Sequence, residues 1–172
     1  MKPIRCLVHA ASACLLIAFN SHAQDAAALK DDDQTFLQHA ARGGQLEVEL
    51  GELAATRASK DAVQDFGKRM MEDHGKVNKQ LKELASRKKV QLPNELDDDG
   101  KNKKAQMNAL PPEQFDAKYV EMMVKDHEKD VADFEKQAKG AEDADVRAFA
   151  AGNLPTLKSH LEKIKALHAD HQ

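Results

Sequence analysis

The chain has 172 residues, 41% hydrophobic and 4% aromatic, with no Trp and a single Tyr. Its 26 Lys and Arg are outnumbered by 29 Asp and Glu, which excludes the basic footprint that nucleic-acid binding requires. The length suits one domain with one core, and the abundance of Ala, Leu, Lys and Glu favours helix over sheet.

Residues 1–23 read as a secretory signal. Lys2 and Arg5 supply the positive start, Cys6 to Phe19 the apolar run, and Ser21-His22-Ala23 the small residues before a cut at Gln24. The run is shorter than the roughly 20 residues that span a bilayer. The expectation is therefore a soluble exported protein, periplasmic and without stable membrane insertion. A lipoprotein cut at Cys14 is the other option, but Ala11-Ser12-Ala13-Cys14 lacks the aliphatic residue expected at its start. Cleavage removes Lys2, Arg5 and both cysteines, Cys6 and Cys14, leaving a thiol-free chain with five excess negative charges. Disulfides, thiolate catalysis and Cys-based zinc sites are thereby excluded.

Residues 24–32 read as a disordered lead, and 33–172 as one domain. A first long helix is expected from about Asp33 to Arg57, with a stripe of Leu37, Ala41, Gly44, Val48, Gly51 and Ala55 that Glu47, Glu49 and Glu52 interrupt. Ser59 is the expected N-cap of a second helix running to about Arg87. Its stripe is Val63, Phe66, Met70, His74, Val77, Leu81 and Leu84. A link from Lys88 to Pro112 follows, with a short helix expected around Lys103 to Leu110. Pro111-Pro112 opens the next long helix, with Val120, Val124, His127, Val131, Phe134 and Ala138 facing inward and Gly140 ending it. The last helix, from about Asp143 to His168, carries Val146, Phe149, Asn153, Leu157, His160, Ile164 and Leu167, and a kink is expected at Pro155.

The stripes of the second and last helices repeat at an offset of 83 residues. The first and third long helices align less well, by Phe36 with Phe115 and Val48 with His127. Two related hairpins are expected, joined by the link. Helices of about 26 residues are about 39 Å long, and the link reaches that far. The expected fold is an all-α four-helix bundle, ferritin-like, with a long crossover between its second and third long helices.

His74, His127 and His160 occupy core-stripe positions on three different helices. Imidazole is the commonest metal ligand, and a buried ring otherwise needs hydrogen-bond partners. His74 and His127 are expected near mid-bundle with Glu47 at similar height, and His160 about a turn out of level. Met70 and Met123 each stand one turn from a stripe histidine. Thioether beside imidazole suits copper first, with zinc or iron next. The candidate metal ligands are thus His74, His127, His160, Glu47 or Glu49, and Met70 or Met123. Asp73 and Asp126 precede His74 and His127 and point away from them on a helix, so either can serve a histidine of a neighbouring helix or remain a solvated flank charge. A di-iron bundle needs Glu-x-x-His motifs; Met71, Val124 and Leu157 occupy the positions three before the histidines, so ferroxidase chemistry is disfavoured.

The stretches FLQHAARGGQLEVELGELA, VQDFGKRMMEDHGKVNKQL, FDAKYVEMMVKDHEKDVADFEKQAK and VRAFAAGNLPTLKSHLEKI resemble the family called domain of unknown function 4142. The resemblance extends from Phe36 to Leu161 and implies an exported bacterial protein with a ferritin-like bundle and no assigned reaction. The family's motif positions fall on Glu49, Asp73, His74, Asp126, His127, Pro155 and His160. The leading expectation is an exported bundle that binds a transition metal through core histidines. The alternatives are a metal-free structural or stress-related bundle, and a metal-dependent redox enzyme.

Overall fold

The computed structural model describes residues 29–169; the expected signal at 1–23 lies outside the described residues. Five helices and no strand make up the described chain: α1 (Asp31–Arg57), α2 (Asp61–Lys88), α3 (Asp98–Ala109), α4 (Pro112–Gly140) and α5 (Ala144–Ala169). None is long and apolar enough to cross a membrane. α1 starts two residues earlier than expected, so Asp31 and Asp32 of the expected disordered lead are helical. Their carboxylates suit the positive end of the helix dipole.

α2 is not capped by Ser59. Its N-cap is Lys60, with no side-chain cap bond, and the Ser59 and Lys60 amides donate instead to Asp116 at 2.9 Å each. Asp33 does the same for the other hairpin turn, accepting from the Asp143 amide at 2.8 Å. Asp33 and Asp116 stand 83 residues apart, as do Lys60 and Asp143. The repeat therefore has one offset throughout, which corrects the Phe36–Phe115 alignment. Pro155 lies inside α5, which is helical on both sides of it. The short helix of the link starts at Asp98, where the Asp97 side chain caps the Gly100 amide.

Two apolar clusters show how the chain runs. At one end, Phe36 near the start of α1 meets Phe134 near the end of α4 and Phe149 near the start of α5, with ring centroids 5.0 and 6.3 Å away. Leu81 and Leu84 near the end of α2 join them. At the other end, Ala54 and Ala58 pack with Val63, Phe66, Phe115, Tyr119, Ile164 and Leu167. α2 thus finishes at the end opposite to where α4 begins, and the link travels the length of the bundle, with α3 laid against α1 and α4.

All seven stripe residues of α2 and all seven of α5 are buried. On α1 the buried set is different: Leu46, Glu47, Leu50 and Ala54 are inside, while Ala41, Val48 and Ala55 are half-buried. On α4, Val124, Val131 and Ala138 are half-buried, and Phe115, Tyr119 and Met123 are fully inside. α1 and α2 touch backbone to backbone. A Cβ at Gly67 would lie 2.6 Å from the Gly51 carbonyl oxygen, and one at Gly51 would lie 2.7 Å from that of Gly67. Only glycine permits that approach, and it draws together the turns carrying Glu47 and His74.

Candidate metal centre

Between the two apolar clusters lies a polar layer. His74 falls between Met70 and Val77 on α2, His127 between Met123 and Phe134 on α4, and His160 between Leu157 and Ile164 on α5; in each pair one residue belongs to either cluster. All three rings are buried, and Glu47 enters from α1 at 2% exposure. The ring centroids are 5.3 to 5.7 Å apart. One ring nitrogen from each lies within 4.8 Å of the others. His160, expected about a turn out of level, joins the other two.

The hydrogen bonds fix the chemistry of the rings. His127 Nδ1 is 2.9 Å from the Met123 carbonyl oxygen. A carbonyl only accepts, so Nδ1 carries the proton and Nε2 keeps a lone pair. His160 Nε2 is 3.0 Å from Asp73 Oδ2, so in the neutral ring Nδ1 keeps the lone pair. His74 Nδ1 approaches Glu47 Oε2 to 2.8 Å, and His127 Nε2 approaches Oε1 to 3.4 Å. Neither Glu47 oxygen receives an aligned hydrogen bond. His74 Nε2, His127 Nε2 and His160 Nδ1 likewise have no partner among the described residues.

Burial holds all three histidines below their ordinary range, His74 and His160 at about 4, so the rings are neutral at pH 7. Burial also pushes Glu47 up to about 7, helped by Asp126 and opposed by His127 and Lys103. Asp73 is pushed up by partial burial, but hydrogen bonds from His160, Arg69 and Lys76 outweigh this and leave it lowered. The layer therefore presents three imidazole lone pairs and a reluctant carboxylate. That donor set matches a transition metal: neutral imidazole is a ligand, and a cation removes the cost of ionising Glu47. Asp73 and the Met123 carbonyl hold His160 and His127 from behind, as outer partners of metal-ligating histidines do.

Of the other candidates, Glu49 turns away. Its carboxylate pairs with Lys104 of α3 at 2.7 Å and accepts from Gln45 at 3.0 Å. Residues two positions apart on a helix point about 200° apart around the axis, so Glu47 and Glu49 cannot both face the layer. Met70 and Met123 are fully buried in the cluster below it. Asp126 serves no histidine; it pairs with Lys103 at 3.0 Å, and its Oδ2 has no partner. The sequence reading missed Asp130, a half-buried residue of α4 whose carboxyl is pushed well above its ordinary range by burial and by Glu47. The repeat carries the signal: Asp130 lies 83 residues after Glu47, an acid in both halves.

The chain belongs to the family described as Domain of unknown function (DUF4142), which matches residues 18–167. No curated protein matches it in sequence. Among solved structures, a DUF305 fragment from Deinococcus radiodurans is similar at TM-score 0.72 and 14% identity, over 83% of this chain and 98% of that one. CopM in the Cu(I)-bound form is similar at 0.66 and 14%, over 80% and 96%. CopM in the Ag-bound form is similar at 0.65 and 15%, also over 80% and 96%. At these identities the likeness is one of helical fold.

Proposed function

We propose that this chain is an exported, periplasmic metal-binding protein that holds a copper ion, Cu(I) before Cu(II), with His74, His127 and His160 as ligands. Zinc and iron come next. The carrying observation is the set of three buried imidazoles from three helices, each with a nitrogen that no group among the described residues satisfies. Glu47 would balance the ion's charge or complete its shell. Neutral imidazoles at pH 7 put few protons in competition with the metal. Met70 and Met123, one turn from two of the ligands, favour the softer ion, and the copper- and silver-bound structures of similar fold support the same choice. The ferritin-like topology belongs to the same proposal; the crossover along the bundle supports it.

The test is thermal melting of untagged apoprotein with Cu(I) under reducing conditions, and with Cu(II) or Zn(II). A ligand that binds only the folded state adds about 2.7 kcal/mol at a hundredfold excess over Kd, several degrees for a chain of this size. The rise should vanish in His74→Ala and His127→Ala. If no first-row metal raises wild type more than the double variant, the centre does not bind metal. Export is tested separately: protein recovered from a bacterial periplasm should begin at Gln24, and a retained N-terminus overturns that reading.

A further inference from the structure

The metal layer is buried, so an ion needs a way in. Beside it, between α1, α3 and α4, lies a cavity of about 270 Å³. Glu47 forms its inner wall, and Asp126 and Asp130 of α4 line it with Lys103 of α3. Glu47 is thus shared: one carboxylate touches His74 and His127 and also lines the cavity. Both its oxygens and Asp126 Oδ2 lack hydrogen-bond partners among the described residues. The five carboxylates of the lining outnumber its three cationic side chains, Arg42, Lys103 and Lys129, and an almost fully buried acceptor pair among them calls for a cation there.

The mouth is closed by charge. Lys103 Nζ reaches Asp126 Oδ1 at 3.0 Å and Asp99 Oδ2 at 3.4 Å. Lys104 ties α3 to Glu49 of α1 at 2.7 Å. Met107 in the core and Arg57, which donates to the Met107, Asn108 and Leu110 carbonyls, anchor the C-terminal end of α3. Beside the cavity its Lys103 and Lys104 are held by ion pairs, which exchange more readily than a packed core.

We propose that this cavity is the port through which the cation reaches the three histidines, with Asp126 and Asp130 as transient carboxylate contacts, Glu47 as the hand-over group, and Lys103 as the ammonium plug the ion displaces. The proposal rests on the metal-centre reading above. Carboxylates suit transit because a soft ion binds them weakly and passes on to imidazole. They also concentrate cations at the mouth, an effect worth 10- to 1,000-fold in association rate for charged clefts and weakened by salt.

The experiment is anaerobic quench-flow with Cu(I) supplied as its acetonitrile complex. Excess chromophoric chelator added after varied delays reads the copper still outside. Equilibrium competition against the same chelator gives Kd. Asp126→Asn with Asp130→Asn should slow uptake about tenfold, with Kd within about threefold of wild type, because neither residue is a final ligand. Lys103→Met should speed uptake several-fold, an opposite effect that does not depend on the acidic variant folding. Uptake in both variants within twofold of wild type overturns the port, as does a Lys103→Met protein that loads more slowly. A Kd that weakens in step with the acidic substitutions, the association rate unchanged, makes them ligands of the resting site and also overturns it. Should wild type hold no Cu(I) that His74→Ala loses, the centre itself fails; unchanged rates on a protein that does bind sink the port alone.

Discussion

Replacing Glu47 by Gln keeps the shape of the side chain and removes its charge. The folded carboxyl titrates at about 7, against 4.5 for the free group. A carboxyl whose pKa is raised by folding favours the protonated form, so its contribution to stability is intact below pH 4.5. It is lost as pH rises through about 7, and the loss is complete above that. A gap of about 2.5 pH units corresponds to roughly 3 kcal/mol. Metal-free Glu47→Gln protein should therefore match wild type within about 1 kcal/mol at pH 4.5 and exceed it by about 3 kcal/mol at pH 8. In a chain of this length that is roughly 6–12 °C in melting temperature. His74 and His160 move the other way: their depressed pKa values, about 4, cost stability as pH falls from 6.5 towards 4. They do so in both proteins, so the comparison is the difference between the two at each pH. Urea unfolding of chelator-dialysed protein from pH 4.5 to 8 measures it. A gain that does not change with pH, or a Gln variant less stable than wild type at pH 8, would refute the reasoning. The second result would mean that Glu47 is ion-paired with a protonated imidazole.

Gly67→Ala should destabilise by about 1–3 kcal/mol and weaken metal affinity, because its Cβ would meet the Gly51 oxygen at 2.6 Å and Ala54 Cβ at 2.8 Å and push α1, with Glu47, off α2; chemical denaturation and chelator competition read the two effects. Phe149→Ala, in the other cluster against Phe36 and Phe134, should cost about 3–5 kcal/mol and leave metal affinity unchanged. A loss below about 1 kcal/mol there would mean the buried face of α5 is misread. Lys89 ends α2 at φ 56°, so Lys89→Gly should stabilise by about 0.5–1 kcal/mol in the same denaturation assay.

The inward faces of α2 and α5 were legible because each stripe is a single row at helical spacing, apolar except for His74 on α2 and Asn153 and His160 on α5. α1 and α4 were read less well, for a reason of packing. α1 touches α2, α3 and α4, so its buried arc is wider than a stripe of three- and four-residue steps. Leu46, Leu50 and Ala54 belong to that wider arc. By sequence Glu47 falls at the height of the histidines and is, with Glu49, a candidate ligand, although in the stripe it reads as an interruption of the apolar face, as a lone charge usually does. Asp73 reads as able to serve a histidine of a neighbouring helix or to remain a solvated flank charge; it points away from His74, its neighbour in sequence, and holds His160 across the helix interface. No spacing rule shows that pairing, because it depends on how α5 is seated beside α2.

What separates a metal centre from a polar core is the balance of donors and acceptors. In a core that satisfies itself, each buried lone pair meets an N–H or O–H. In this layer the ring protons of His127 and His160 are already committed to the Met123 carbonyl and Asp73. The remaining ring proton, on His74 Nδ1, faces Glu47 Oε2 at 2.8 Å; one nitrogen on each ring and the other Glu47 oxygen are acceptors with no donor among the described residues. Tyr119 has a buried hydroxyl without a partner among the described residues, and Glu47, titrating at about 7, carries a proton part of the time, but these two O–H groups cannot serve four acceptors. Apolar side chains of similar volume would make a more stable interior than this. Protonating the rings does not close the deficit either, since burial holds them neutral at pH 7. A positive charge without protons answers each term at once: it accepts the lone pairs, keeps the imidazoles neutral and lets Glu47 ionise. The same features that weaken the metal-free fold are those a bound cation turns into stability.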